Sequence, residues 1–237
     1  MSGVVLRDST GREGQTMVRI AVTGHAERAL PAERGTLRVE VSAVGDDRRE
    51  VLERVTRTHT DLRAEAQAHV DSGAATWWGS HGVSSGQLID WEQRDGQQVK
   101  VRRFQARADV RVRFSDFTAL AEWSVAVAER EDVEVAGITW DLTDSRRDSV
   151  IDDVRVDATR DALAKAFVFA RAAGLGSPRL VALYEEGLRP GGDRPPVQPM
   201  MRSMAMDSGG RGGGVELRPD DIELTVSVSA DFEADGA

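Results

Sequence analysis

The sequence predicts an α+β fold: a mostly antiparallel sheet of about eight strands with three helices packed on it. Three observations predict it. Several segments alternate apolar and polar residues, the period of a strand with one buried and one wet face. Three others space their apolar residues by three and four, the helical period. Asp95-Gly96 stands between two strand-like runs, a pair favoured in two-residue hairpin turns.

Taken in order, residues 1–16 are polar and glycine-containing and read as a disordered leader. Val18, Ile20 and Val22 share one face of the first strand. A turn is expected around Gly24-His25 and Leu30-Pro31, then a strand with Leu37, Val39, Val41 and Ala43 on one face. From Asp46 to Asp71 the apolar positions Val51, Leu52, Val55, Leu62, Ala66 and Val70 predict a helix, with Asp46-Asp47 at its positive end. Trp77-Trp78 and Val83 lie in the next strand, Ser84-Ser85-Gly86 reads as a turn, and Leu88, Ile89 and Trp91 lie in the strand after it.

The strand ending at Phe114 alternates through Phe104, Ala106, Ala108, Val110 and Val112. Val99 and Val101 have the opposite parity, which predicts a bulge near Arg102-Arg103. Ser115 and Asp116 suit the N-cap of a helix with the stripe Phe117, Leu120, Trp123 and Val127. A strand at 133–142 carries Ile138, Trp140 and Leu142. The third helix, 144–173, has a small-residue face of Val150, Val154, Ala158, Ala162, Ala166 and Ala170, flanked by Leu163 and Phe167, with Gly174 as its C-cap. A strand at 179–186 follows. Residues 190–214, rich in Gly, Pro and Met, read as a mobile loop too long for a plain connector. Ile222 to Phe232 alternates as a closing strand. One domain spans 17–233, and 234–237 is a tail.

Composition bounds the function. The chain has 237 residues, a net charge of −9 and no cysteine. Thiolate metal sites and cysteine nucleophiles are excluded. The acidic balance disfavours nucleic acid and anionic membranes as partners. No apolar run approaches a membrane span or a secretory signal, so no membrane insertion is expected and a cytoplasmic location is.

The order of elements and several strings resemble the SIMPL-domain family, a bacterial domain of unknown function. Val22-Thr23-Gly24 with Pro31, Phe104-Gln105-Ala106 through Phe114-Ser115-Asp116-Phe117, and Val135 to Asp144 carry the likeness. So do Asp157-Ala158, Asp161-Ala162 and Lys165-Ala166, the string Pro199 to Met206, and the closing strand. Ala26 stands where the family often has glycine. The resemblance covers about 17–233. Of the family's members, some are envelope proteins linked to oxidative stress, some assemble into large rings, and one was described as a partner of a signalling kinase. No catalytic residues are established in the family, so none is carried over.

Residue chemistry agrees with a non-enzymatic reading. His25, His59, His69 and His81 are too scattered in sequence to suggest one metal centre. The pairs Asp46-Asp47, Asp152-Asp153 and Asp220-Asp221 are expected at element boundaries, as caps or solvated residues. Gly174-Leu175-Gly176 follows a helix, and Gly209 to Gly214 lacks the Lys-Ser/Thr ending, so neither is a phosphate loop. No catalytic, cofactor or metal residues are assigned. Neighbouring strand residues point to opposite faces, so one of Trp77 and Trp78 is expected in the core and the other at a contact surface. Met200, Met201, Met204 and Met206 are candidate partner or oligomer contacts. The expected function is self-association and partner binding, linked to stress response. The alternatives are a soft-metal or small-ligand module using the methionines, or an enzyme with an unrecognised site.

Overall fold

A computed structural model of the chain describes residues 8–10, 16–94, 96–190 and 219–236. The elements run β1 (Asp8–Thr10), β2 (Thr16–Leu30), β3 (Arg34–Gly45), α1 (Arg48–Asp71), β4 (Ala75–Arg94) and β5 (Gln97–Phe114). They continue with α2 (Phe117–Ala128), β6 (Val133–Asp141), α3 (Asp144–Ala172), β7 (Arg179–Glu185) and β8 (Ile222–Asp235). The fold is α+β with three helices, but the single expected sheet is two antiparallel sheets, ordered β1-β2-β8-β7 and β4-β5-β3-β6. Nor is the strand count of about eight met as expected. Seven strands of seven or more residues are described, together with the three-residue β1.

Two compact units result. The first is built from Met1–Leu30, Thr143–Met204 and Asp221–Ala237, as far as these are described. Its core is the small-residue stripe of α3 (Ala158, Ala162, Ala166, Ala170) on Ile20, Val22, Val228, Ala230 and Phe232. Small residues let the helix sit close to the sheet. At Gly24 the approach is closest: a Cβ there would lie 2.0 Å from the Ala158 carbonyl oxygen and 2.7 Å from the Ala162 nitrogen. The expected turn at Gly24-His25 is therefore absent. β2 runs straight through and pairs with β8 from Met17↔Asp235 to Leu30↔Ile222.

Among the described residues, β2 meets β1 on its other edge at Thr16–Val18 alone. Backbone groups further along need other partners, and α3 supplies them. The His25 N–H donates to Asp161 Oδ2 at 2.8 Å, and Lys165 Nζ donates to the Thr23 carbonyl at 3.0 Å. Asp161 and Lys165 also pair at 2.7 Å, one helical turn apart as expected. The lysine's hydrogen bond is the main cause that holds the Asp161 carboxyl below its ordinary pKa, with the His25 N–H adding to it against a burial effect. At the other end Ala173 caps α3 and Gly174 follows at φ 70°. The Leu175 N–H reaches Ala170 O and the Gly174 N–H reaches Arg171 O, a Schellman closure.

The second unit, chiefly Pro31–Leu142, packs α1 and α2 on one face of β4-β5-β3-β6. Leu37, Val39, Val41, Val110, Val112 and Phe114 face Val55, Leu62, Leu120 and Val127, each 0% exposed. Asp47 and Asp116 cap the two helices, each accepting from two backbone N–H groups. The stripe of α1 keeps the expected spacing through Val55, His59, Leu62 and Ala66, all buried, but Leu52 is 37% exposed. In α3 the expected flanking residue Phe167 is likewise exposed.

Two expectations in this unit are corrected by strand register. Ser84-Ser85-Gly86 is no turn; β4 runs as one strand through it, bulged between His81 and Ser84. No bulge occurs near Arg102-Arg103, where pairing is unbroken from Ser84↔Arg107 to Arg94↔Gln97. Val99 and Val101 simply occupy the opposite face. Against β3, β6 shifts register between Gly137 and Val135, with Gly137 at φ 134°. That extra residue brings both Val133, Val135 and Ile138, Trp140 to the core. Asp8–Thr10 pairs with β2, so this part of the expected leader is ordered. The methionine loop expected at 190–214 lies, apart from Pro190, outside the described residues.

Candidate interaction surfaces

The two tryptophans divide as their adjacency predicts. Trp78 lies on the helix side of the sheet, half-buried, its Nε1 donating to Gln67 Oε1 at 2.8 Å. Arg63 stands over its ring at 5.6 Å. Trp77 lies on the opposite face, 44% exposed, with the Arg113 guanidinium 5.4 Å above its ring. Met200, Met201, Met204 and Met206 lie outside the described residues.

Around Trp77 the outward face is an ordered charge array. Register places Arg38 opposite Arg111 and Glu40 opposite Asp109 on neighbouring strands. Like charges in such positions repel. Each row is offset along its own strand: Arg38 meets Glu40 at 2.5 Å, and Arg111 meets Asp109 at 3.2 Å. His81 Nδ1 closes on Asp109 Oδ1 at 2.7 Å. Burial works against the Asp109 charge, but the hydrogen bonds and charges of His81 and Arg111 outweigh it and hold this carboxyl below its ordinary value. Sequence reading missed this cluster, because the pairing of His81 with Asp109 depends on where β4 bulges.

The remaining histidines are structural in their contacts. His25 Nδ1 meets Ser227 Oγ at 2.9 Å. His69 stands edge-on to Phe114 and Trp123 at 5.1 and 5.4 Å. His59 Nε2 meets Ser80 Oγ at 2.6 Å inside the second unit. Burial and then Arg63 lower its pKa. The folded state thus binds a proton less readily than the unfolded chain, whose imidazole titrates near its ordinary 6.5. This contribution to stability is whole above that value and is lost as pH falls below it, towards the lowered folded value. Urea midpoints measured from pH 7.5 to 5 are expected to fall, and His59→Gln to flatten that slope. An unchanged slope would place the titrating group elsewhere.

Of the paired carboxylates, Asp47 is a cap and Asp220-Asp221 precedes β8, as expected of a boundary. Asp152 and Asp153 do not fit that expectation. They lie within α3, where the small-residue face keeps them outward, paired with Arg155 and Arg28. Among the described residues no three His, Asp or Glu side chains converge as a metal site would require. No described helix is long and apolar enough to cross a membrane.

A second surface lies at the far end of β4 and β5. β3 reaches only as far as Gly45↔Phe104, and the first turn of α1 touches β4 at Ser85 through Arg48. Beyond these points β4 and β5 continue, among the described residues, as a two-stranded ribbon to Arg94↔Gln97. It exposes Leu88 (38%), Ile89 (56%), Trp91 (59%) and Val99 (39%). A lone two-stranded ribbon is marginal in water, and apolar side chains on both its faces are unlike an ordinary solvated edge.

Residues 20–232 match the family model described as SIMPL, protein of unknown function (DUF541). No curated protein matches the chain.

Proposed function

The chain belongs to the SIMPL family, and from that premise we propose that it is a non-enzymatic protein acting through self-association and the docking of partner proteins. The observation that carries this reading is the β4–β5 ribbon, whose Ile89 and Trp91 are more than half exposed. Enzyme sites use walled pockets that exclude water. The His81–Asp109 pair sits instead on an open sheet, with the His81 side chain 70% exposed. Flat faces with an aromatic anchor and arginines suit protein contacts. A link to stress response rests on the family resemblance alone.

Light scattering on a sizing column tests the reading. The intact chain is expected to elute at a discrete multiple of 25.8 kDa, and Ile89→Ser/Trp91→Ser to shift it towards the single-chain mass. A monomer at all accessible concentrations would remove self-association from the proposal.

A further inference from the structure

The ribbon has two unlike faces. Residues paired across an antiparallel ladder share a face, and successive residues alternate. Ile89 pairs with Arg102 and Trp91 with Lys100, so one face combines Ile89, Trp91, Lys100 and Arg102. It carries two cations and no acid among these residues. Leu88 pairs with Arg103 and Asp90 with Val101, so the other face combines Leu88, Asp90, Val101 and Arg103. Arg103 is offset by Asp46 at 4.0 Å, which leaves Asp90 as the net charge. One face is aromatic and basic, the other aliphatic and acidic. Each is apolar enough to be buried, and each matches the other in charge better than it matches itself.

We infer that the basic, aromatic face of one ribbon stacks on the acidic, aliphatic face of the ribbon of a second copy of this chain. The inference rests on the self-association reading and deepens it. Face meets unlike face, so the contact is heterologous: every copy has one donor and one acceptor face, and the assembly grows beyond a dimer unless it closes. Two copies of the basic face would set Lys100 and Arg102 against their own kind, which disfavours a two-fold contact.

Charge reversal and mixing test it. Lys100→Glu/Arg102→Glu disables one face, and Asp90→Lys the other. These side chains are exposed, so unchanged far-ultraviolet circular dichroism is expected of both variants. Each alone is expected at the single-chain mass by light scattering. Mixed in equal amounts, they are complementary at both contacts, the lysine and arginine of one on Asp90 of the other and the two introduced glutamates on the introduced lysine, and are expected to assemble beyond a dimer with the two variants alternating. All three substitutions in one chain restore complementarity and are expected to restore the wild-type mass. Unaltered mass in the variants of an oligomeric wild type would overturn the stacked contact and leave self-association standing. A monomeric wild type would overturn both. A mixture that stays monomeric, or a triple variant that fails to reassemble, would overturn the stacking alone.

Discussion

Gly24→Val is expected to unfold the first unit while leaving the second intact. The added carbons must occupy space held by the Ala158 carbonyl and the Ala162 backbone. Neither can rotate away as a side chain would. Overpacking commonly costs about 1–3 kcal/mol, and a clash with helix backbone belongs at or above the top of that range. Folded domains hold only about 5–15 kcal/mol in all. Relief requires α3 to lift from β2, which also breaks the Asp161 and Lys165 contacts with the strand. All five tryptophans lie between residues 77 and 140, in the second unit. Tryptophan fluorescence should therefore report an unchanged urea transition while circular dichroism loses signal and the amides of α3 exchange rapidly. Protected α3 amides in the variant would refute the close-packing argument.

Phe114→Ala should do the converse. Its ring is fully buried, in contact with His69 and 5.8 Å from Trp123. Deleting a buried phenyl ring costs about 3–5 kcal/mol, part transfer and part cavity. The fluorescence midpoint in urea is expected to fall steeply, since Trp123 lines the gap. The neighbouring contact between Trp123 Nε1 and Glu65 Oε2, itself bridged to Arg130, ties α2 to α1 and limits how far the site can collapse. A midpoint shift worth less than about 1 kcal/mol would mean that the core refills the space.

What was legible in the sequence follows from range. Period-two patterns in β3 and β8 and the spacing of Val150 to Ala170 report burial on one face, a local property, and they led to the right elements. The Trp77–Trp78 division was legible for the same reason. Bulges were not. Ser84-Ser85-Gly86 in β4 looks like turn chemistry, yet the strand runs through it, an extra residue between His81 and Ser84 resetting its parity against β5. At β6 the switch from Val135 to Ile138 was the visible trace of a bulge at Gly137. The existence of two sheets was illegible, because it depends on β2 choosing β8 over the adjacent β3. Nothing local distinguishes those partners, and Gly24 acquires its meaning only when α3 arrives. The His81–Asp109–Arg111 cluster was hidden likewise, although Arg107, Arg111 and Arg113 alternating in a chain of net charge −9 hinted at a special face.

The pairing of Leu30 with Ile222 has a further consequence for how the molecule is made. On the ribosome β2 emerges before the whole Pro31–Leu142 segment and β8 after it. At ~5–20 residues per second, translation leaves the earlier strand without its mate for on the order of ten seconds or more. The nested Pro31–Leu142 segment contains its own core and its own pairing partners, and has time to mature in that interval. During biogenesis the vulnerable species is thus a finished second unit joined to a β2 still without its mate. Until β8 is made, the run Val18 to Thr23 presents an unpaired strand edge with alternating apolar side chains, the kind of segment that aggregates.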